Sequence, residues 1–366
     1  MLVKGAVRTD SVAERNVDVD VTDHQSAPAT SHSRSSSVKD WESRLGRKLL
    51  KGVSRSFYVT LRLLNPEIRG PVSLAYLLAR ASDTLADTES LPVPLRLDHL
   101  EAYRECVRTG KGWDSVQSRI EKEITPLQKH EGEIELMNRV ADCGQWLACQ
   151  EAFHLEAIQN LLESILHGQM LDCERFDGGF NTLETADELD KYTYLVAGSV
   201  GEFWTRVGFH DVKAYARLDE AEMLRRGRSY GKGLQLINIL RDHPKDLTEG
   251  RCYFPRDDWG GDGSIRPDRA ALEPVLEQWR ARAFSRMGDG FSYCLALNSP
   301  RLRFATVLPV LIGVRTLVML EQADWETFEK GVKVSRKEVK RILFQTWWRQ
   351  WSRPALERYY RRLLDR

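Results

Sequence analysis

Two pairs of aspartates are the first residues in this chain that suggest chemistry. Asp83 and Asp87 stand four residues apart at the close of an apolar run, so on a helix both side chains leave one face about one turn apart. Asp242 and Asp246 repeat that spacing after the apolar run Gly231 to Arg241. A single such pair also describes an ordinary solvated helix face. Two of them, each ending an apolar helix, ask for more, because like charges beside an apolar interior are costly unless a cation compensates them. Hard carboxylate oxygens favour Mg²⁺, which usually completes its octahedron with water and substrate phosphates.

The elements that must position these pairs are helical. From Trp41 onward the apolar residues recur at helical spacing, and the pattern predicts helices over about 66–88, 94–109, 133–171, 183–208, 212–243, 268–297, 301–322 and 335–363, some of them broken. Alternating β-branched runs are almost absent, which makes the fold class all-α. No GxGxxG is present, and the loop WGGDGSIRPD (Trp259 to Asp268) has neither a preceding strand nor a following GK[ST], so a nucleotide cofactor would have to bind without a Rossmann unit or P-loop. Residues 1–37 hold hardly any large apolar side chain and read as a disordered tail.

Bulk composition narrows the function further. A net charge of +1 argues against a nucleic-acid binder. Six cysteines without a CxxC pair or a companion His spacing suggest buried thiols, neither a zinc site nor a disulfide framework. No stretch reads as long and apolar enough to cross a bilayer, and the first residues lack the apolar core of a signal peptide, so the expectation is a cytoplasmic protein.

Five ordered segments resemble the squalene/phytoene synthase family: Ser54-Arg-Ser-Phe-Tyr58; Tyr76 with Arg80-Ala-Ser-Asp-Thr-Leu-Ala-Asp87; Tyr192-Thr-Tyr-Leu-Val-Ala-Gly-Ser-Val-Gly201; Gln235-Leu-Ile-Asn-Ile-Leu-Arg-Asp242; and Gly250-Arg-Cys-Tyr-Phe-Pro255. The resemblance spans about residues 42–345. It implies a single helical bundle around a central cavity, occupying 38–345 between the tail and a basic, aromatic C-terminal helix at 346–366.

Position by position, the resemblance makes Asp83, Asp87, Asn238, Asp242 and Asp246 the Mg²⁺-binding set, with Asp83, Asp87, Arg80 and Tyr192 in catalysis. Arg55, Ser56, Phe57, Tyr76, Gln235, Arg241 and Arg251 would contact substrate, the arginines because guanidinium forks pair with phosphate oxygens. The implied reaction joins two farnesyl diphosphates head to head, and aromatic faces at Phe57, Tyr58, Tyr76, Tyr192 and Tyr194 either shield its carbocation or pack the core. Tyr192 matches the family tyrosine implicated in proton handling, a task that needs a neighbouring acceptor. The small residues of Val196 to Gly201 leave room for an isoprenoid tail or for close helix packing.

Thr84 in DTLAD resembles the squalene-type motif more than the phytoene-type one, and Ser54, Lys333, Arg336 and Lys337 match positions associated with NADPH. Reduction to squalene is therefore expected; the alternatives are a synthase that stops at dehydrosqualene or phytoene, or a non-catalytic scaffold of the same fold. Pro244 and Lys245 depart from the family's second acidic motif, and a proline there is expected to push His243 out of helical geometry and Asp246 off the face of Asp242. Residues 329–366 carry twelve Lys or Arg against four Asp or Glu, interleaved with Trp347, Trp348, Trp351, Tyr359 and Tyr360. That mixture suits either a membrane surface that receives a greasy product or a helix packing its aromatics on the core.

Overall fold

Helix-start signals in the sequence are met by side-chain caps in the structure. Thr185, Asp219, Asp268, Ser299, Asp324, Ser335 and Ser352 each accept a hydrogen bond from the backbone N–H three residues on, satisfying a donor that the first turn leaves free. The computed structural model describes residues 41–42, 44–46, 48–53, 61, 63–260 and 265–365. The expected N-terminal tail and the candidates Ser54, Arg55, Ser56, Phe57 and Tyr58 lie outside the described residues.

The helices are α1 (Lys48–Val53), α2 (Pro66–Ala86), α3 (Val93–Thr109), α4 (Trp113–Glu123), α5 (Glu131–Met137), α6 (Val140–Ala148), α7 (Ala152–Arg175), α8 (Ala186–Thr193), α9 (Ser199–Asp211), α10 (Glu220–Thr248), α11 (Arg256–Trp259), α12 (Arg269–Ala296), α13 (Pro300–Gln322), α14 (Trp325–Lys330), α15 (Arg336–Arg349) and α16 (Arg353–Leu364). A π-helical turn, Tyr194–Gly198, joins α8 to α9. Two short strands, β1 (Asn181–Thr182) and β2 (Arg251–Cys252), pair in parallel. The all-α expectation holds, as one bundle: α10 packs along α12 and α9, α12 on α13, and α7 on α2, α3 and α9.

Several expected boundaries shift for local reasons. The run expected as 133–171 breaks into α5, α6 and α7. Helix α4 was missed because it offers only Trp113, Val116 and Ile120 to the core between turn residues Gly112 and Pro126. Helix α10 starts later than expected, at its Asp219 cap, and runs straight through Pro244 to Thr248. The expectation that Pro244 displaces His243 is therefore corrected: His243 is 2% exposed, wedged edge-on to Phe254 at 5.0 Å, and this packing outweighs the lost hydrogen bond.

Two further expectations are corrected. Helix α13 is in fact long and apolar enough to cross a membrane, with mean hydropathy 1.8, but 72% of that window is buried in the bundle and its apolar faces form core. The expected boundary at 345/346 falls inside α15, and the C-terminal segment is two helices with a break at 350–352. Leu356, Tyr359, Tyr360 and Leu363 belong to the main core. Arg303, 2% exposed, clamps this segment by donating to the Gln350 and Leu297 carbonyls at 2.6 Å each. All six cysteines are free, and Cys149 alone among them is not buried.

Candidate active site

Two helices present stripes to each other. Tyr76, Arg80, Asp83 and Asp87 follow 4-3-4 spacing along α2 and its C-cap, and Ile165, Gln169, Asp172 and Phe176 follow the same spacing along α7 and its C-cap. Between them lies a cavity of about 530 Å³, closed by Tyr192, Val196, Val200, Gln235 and Arg251. Of the sequence candidates it therefore gathers Tyr76, Arg80, Asp83, Asp87, Tyr192, Gln235 and Arg251. Asn238, Arg241, Asp242 and Asp246 do not line it, but they continue at 3- and 4-residue steps from Gln235 along the same face of α10.

Both acidic pairs sit at helix C-termini, the negative end of the macrodipole and the wrong end for an anion unless a cation is supplied. Burial first, then Asp87, pushes the Asp83 carboxyl up to about 6. Burial, then Asp242 and Glu249, pushes Asp246 up to about 7. The influence of Asp242 on Asp246 means that the two carboxylates do share a face, contrary to expectation, because α10 stays helical. Gln169 donates through Nε2 to Asp83 Oδ1 at 2.5 Å, which leaves its buried Oε1 without a partner among the described residues, beside the acidic pair. Hard oxygen donors, raised carboxyl pKa values and an orphaned amide oxygen fit a divalent cation with its water.

The cations of the site are held in place by acids. Arg80 donates to Glu133 at 2.5 Å and lies 3.9 Å from Asp83. Arg251 donates to Glu89 at 2.8 Å and lowers the pKa of both Asp87 and Asp246, so it stands between the two acidic motifs. Arg241 is paired with Asp242, Nε to Oδ1 at 2.8 Å. Lys245 pairs with Glu249 at 3.2 Å and its side chain is 75% exposed.

Tyr192 has a carboxylate acceptor beside it, Asp172. Its ring stacks on Tyr253 at 5.2 Å, and the Tyr253 hydroxyl donates to Asp172 Oδ1 at 2.7 Å. Asp172 is raised by burial and held down by hydrogen bonds from both phenols and by Arg251, while burial and Asp172 keep the Tyr192 phenol protonated far above neutral pH. Gly250 makes the approach of β2 possible: its φ is +83°, and a Cβ there would lie 2.4 Å from the Gly179 carbonyl oxygen.

Sequence reading missed Asp172, Gln169, Tyr253, Arg96 and Glu133. The period of α7 was the available signal for the first two, and Tyr253 lies inside the Gly250 to Pro255 segment; nothing local marks Arg96 or Glu133. Tyr194 points elsewhere, donating to Glu202 at 2.9 Å outside the main cavity. Lys333, Arg336 and Lys337 are exposed around the start of α15 and do not line the cavity.

The small residues after Tyr194 pack closely on α10 and also border open space. Gly201 and Ala197 meet α10 so closely that a Cβ on Gly201 would lie 1.9 Å from the Gly227 carbonyl oxygen. Val200 borders the acidic cavity and also an apolar cavity of about 190 Å³ whose walls include Trp204, Tyr230, Leu234 and Pro309.

Comparisons with known proteins give the family and the fold. Residues 50–338 match the squalene/phytoene synthase family. Squalene synthase ERG9 of Saccharomyces cerevisiae is 31% identical over 298 residues, 79% of this chain and 64% of that one. The squalene synthase of Yarrowia lipolytica is 27% identical over 313 residues, 83% of this chain and 67% of that one. The chain thus spans about two thirds of the length of these curated relatives. Solved structures sharing the fold include TcSQS with the ligand BPH1237 (TM-score 0.66, 24% identity, 84% of this chain and 86% of that one). Another is squalene synthase HpnC from Alicyclobacillus acidocaldarius (TM-score 0.52, 20% identity, 78% and 95%). The chain belongs to the squalene/phytoene synthase family.

Proposed function

We propose that the protein is a farnesyl-diphosphate farnesyltransferase that joins two farnesyl diphosphates through presqualene diphosphate and, with NADPH, yields squalene. The observation that carries this reading is the convergence of Asp83, Asp87, Arg251 and the Tyr192–Asp172 pair on one cavity that meets an apolar one at Val200. Asp83 and Asp87 would hold Mg²⁺, with Asn238, Asp242 and Asp246 as a second set along α10. When bound, Mg²⁺ neutralises charge on the leaving diphosphate.

Arg251 and Arg80 orient the diphosphate, and the apolar side chains beside Val200 flank the cation left when the allylic C–O bond breaks with its electron pair on the diphosphate. Alkylation then requires loss of one proton from carbon. The Tyr192 hydroxyl oxygen can take it while passing its own proton to Asp172, whose raised pKa makes it a better base than an exposed carboxylate. Lys333, Arg336 and Lys337 are accessible at a helix N-terminus, which suits NADPH phosphates.

The test is incubation with farnesyl diphosphate and Mg²⁺, with and without NADPH, followed by mass spectrometry of the extracted lipid. Squalene only with NADPH supports the full reading; dehydrosqualene or presqualene diphosphate limits it to condensation, and no turnover overturns it in favour of the scaffold. Asp83→Asn should lower Mg²⁺-dependent turnover by about a hundredfold or more. Product release into lipid, with peripheral docking of the C-terminal helices on an anionic membrane surface, completes the proposal. It rests on exposed Phe344, Trp348 and Trp351 beside basic side chains.

A further inference from the structure

Away from the cavity, Glu151, His154, His210 and Asp211 each offer one ligand atom, and these atoms all lie within 4.8 Å of one another. We propose that the four residues form a binding site for one divalent transition-metal ion of the Zn²⁺ class. Glu151 is the N-cap of α7 and His154 lies in its first turn, while His210 and Asp211 end α9. Asp172 lies about 27 Å further along α7 at the helical rise per residue, so these are not the carboxylates of the prenyl diphosphate cavity.

Asp211 lies between two imidazoles, with His154 Nε2 at 2.8 Å from one oxygen and His210 Nδ1 at 2.7 Å from the other. Glu151 Oε1 faces His154 Nδ1 at 3.2 Å and His210 Nδ1 at 3.8 Å. Among the described residues no Lys or Arg forms an ion pair with either acid, although the Asp211 side chain is only 10% exposed. With neutral imidazoles the cluster therefore carries two negative charges at close quarters, which a divalent ion would cancel. Phe153 stacks on His210 at 3.8 Å and 6°, fixing the plane of that ligand.

Two imidazoles with two carboxylates suit Zn²⁺ better than Mg²⁺, which prefers oxygen alone. Tetrahedral donors around Zn²⁺ lie about 3.4 Å apart, so the 2.8 and 2.7 Å contacts of Asp211 with His154 and His210 must lengthen while the widest separations in the cluster, up to 4.8 Å, must shorten. Glu151, 56% exposed, is free enough in solvent to move in by side-chain rotation. The ion would replace ring protons now shared with Asp211 and would tie the start of α7 to the end of α9, the helices that carry Gln169, Asp172 and Val200.

The test uses the full chain, stripped with chelator and titrated with ZnCl₂ in saturating Mg²⁺, with bound metal and thermal midpoint as readouts. One equivalent of Zn²⁺ and a raised midpoint are expected. His210→Ala and, separately, Glu151→Gln should each weaken Zn²⁺ binding by about tenfold or more, with folding checked by circular dichroism. Asp83→Asn should keep the equivalent. No Zn²⁺ binding by the intact chain, unchanged affinity in the Glu151→Gln protein, or loss of the equivalent in Asp83→Asn would each overturn the proposal.

Discussion

Asp172 illustrates what a residue gains from its neighbours. It meets Tyr192 from α8 and Arg251 and Tyr253 from β2 and the residue that follows it, and its raised pKa follows from burial among them. Tyr192→Phe and Asp172→Asn should each lower kcat by about a hundredfold or more, the usual contribution of a positioned acid or base, while the Kd for an unreactive prenyl diphosphate analogue changes little. Loss of analogue binding in either variant would instead mark a binding role. His243 is a different case: 2% exposed, with neither ring nitrogen bonded among the described residues, it is pushed down to about 4 by burial. The native state thus disfavours the imidazolium, so stability is lost as pH falls from the unfolded value near 6.5 toward 4. His243→Leu should flatten that part of the stability–pH profile, by about 3 kcal/mol across the window, when urea unfolding is measured between pH 7 and pH 4. Asp83, Asp87, Tyr76, Arg80, Tyr192, Gln235 and Arg251 were legible because their motifs are short and ordered; Gln169, Asp172 and Tyr253 were not, because only packing brings them together.

At the scale of elements, α10 is the spine of the site. It holds Gln235 at the cavity and the second acidic set beyond it, and it lies against the π-helical turn and α9 through facing glycines. A Cβ on Gly231 would lie 2.1 Å from the Ala197 carbonyl oxygen. Gly231→Ala should therefore destabilise the protein by about 2 kcal/mol or more, because backbone cannot yield as a flexible side chain does. Gly288→Ala is the control: inside α12 a Cβ there meets nothing within 4 Å, and it should stabilise by about 0.5–1 kcal/mol through helix propensity. Equal effects of the two substitutions in urea unfolding would argue against close helix contact at Gly231. Sequence periodicity found most helices but misjudged α10 at both ends. A cap at Asp219 was overlooked, and a proline that stops an isolated helix is tolerated where His243 is packed against Phe254.

At the scale of the whole molecule, the C-terminal helices bury some of their aromatic side chains in the core and expose others. Leu356, Tyr359 and Tyr360 anchor them in the core, whereas Phe344, Trp348 and Trp351 are 60%, 66% and 70% exposed. Trp348→Ser/Trp351→Ser should reduce flotation with anionic vesicles by about tenfold at low salt without changing the melting temperature, and high salt should weaken binding of the parent protein. Binding to neutral and anionic vesicles alike would contradict an electrostatic surface. By itself the sequence determined the all-α class, the family and the first acidic pair with its arginine, because these depend on local period and on motifs a few residues long. Tertiary structure alone decided that Asp246 stays on the face of Asp242, that Asp172 meets Tyr192, and that the apolar α13 is core. Each of those outcomes depends on which distant side chains surround a residue, and burial and charge act through space, independent of separation along the chain.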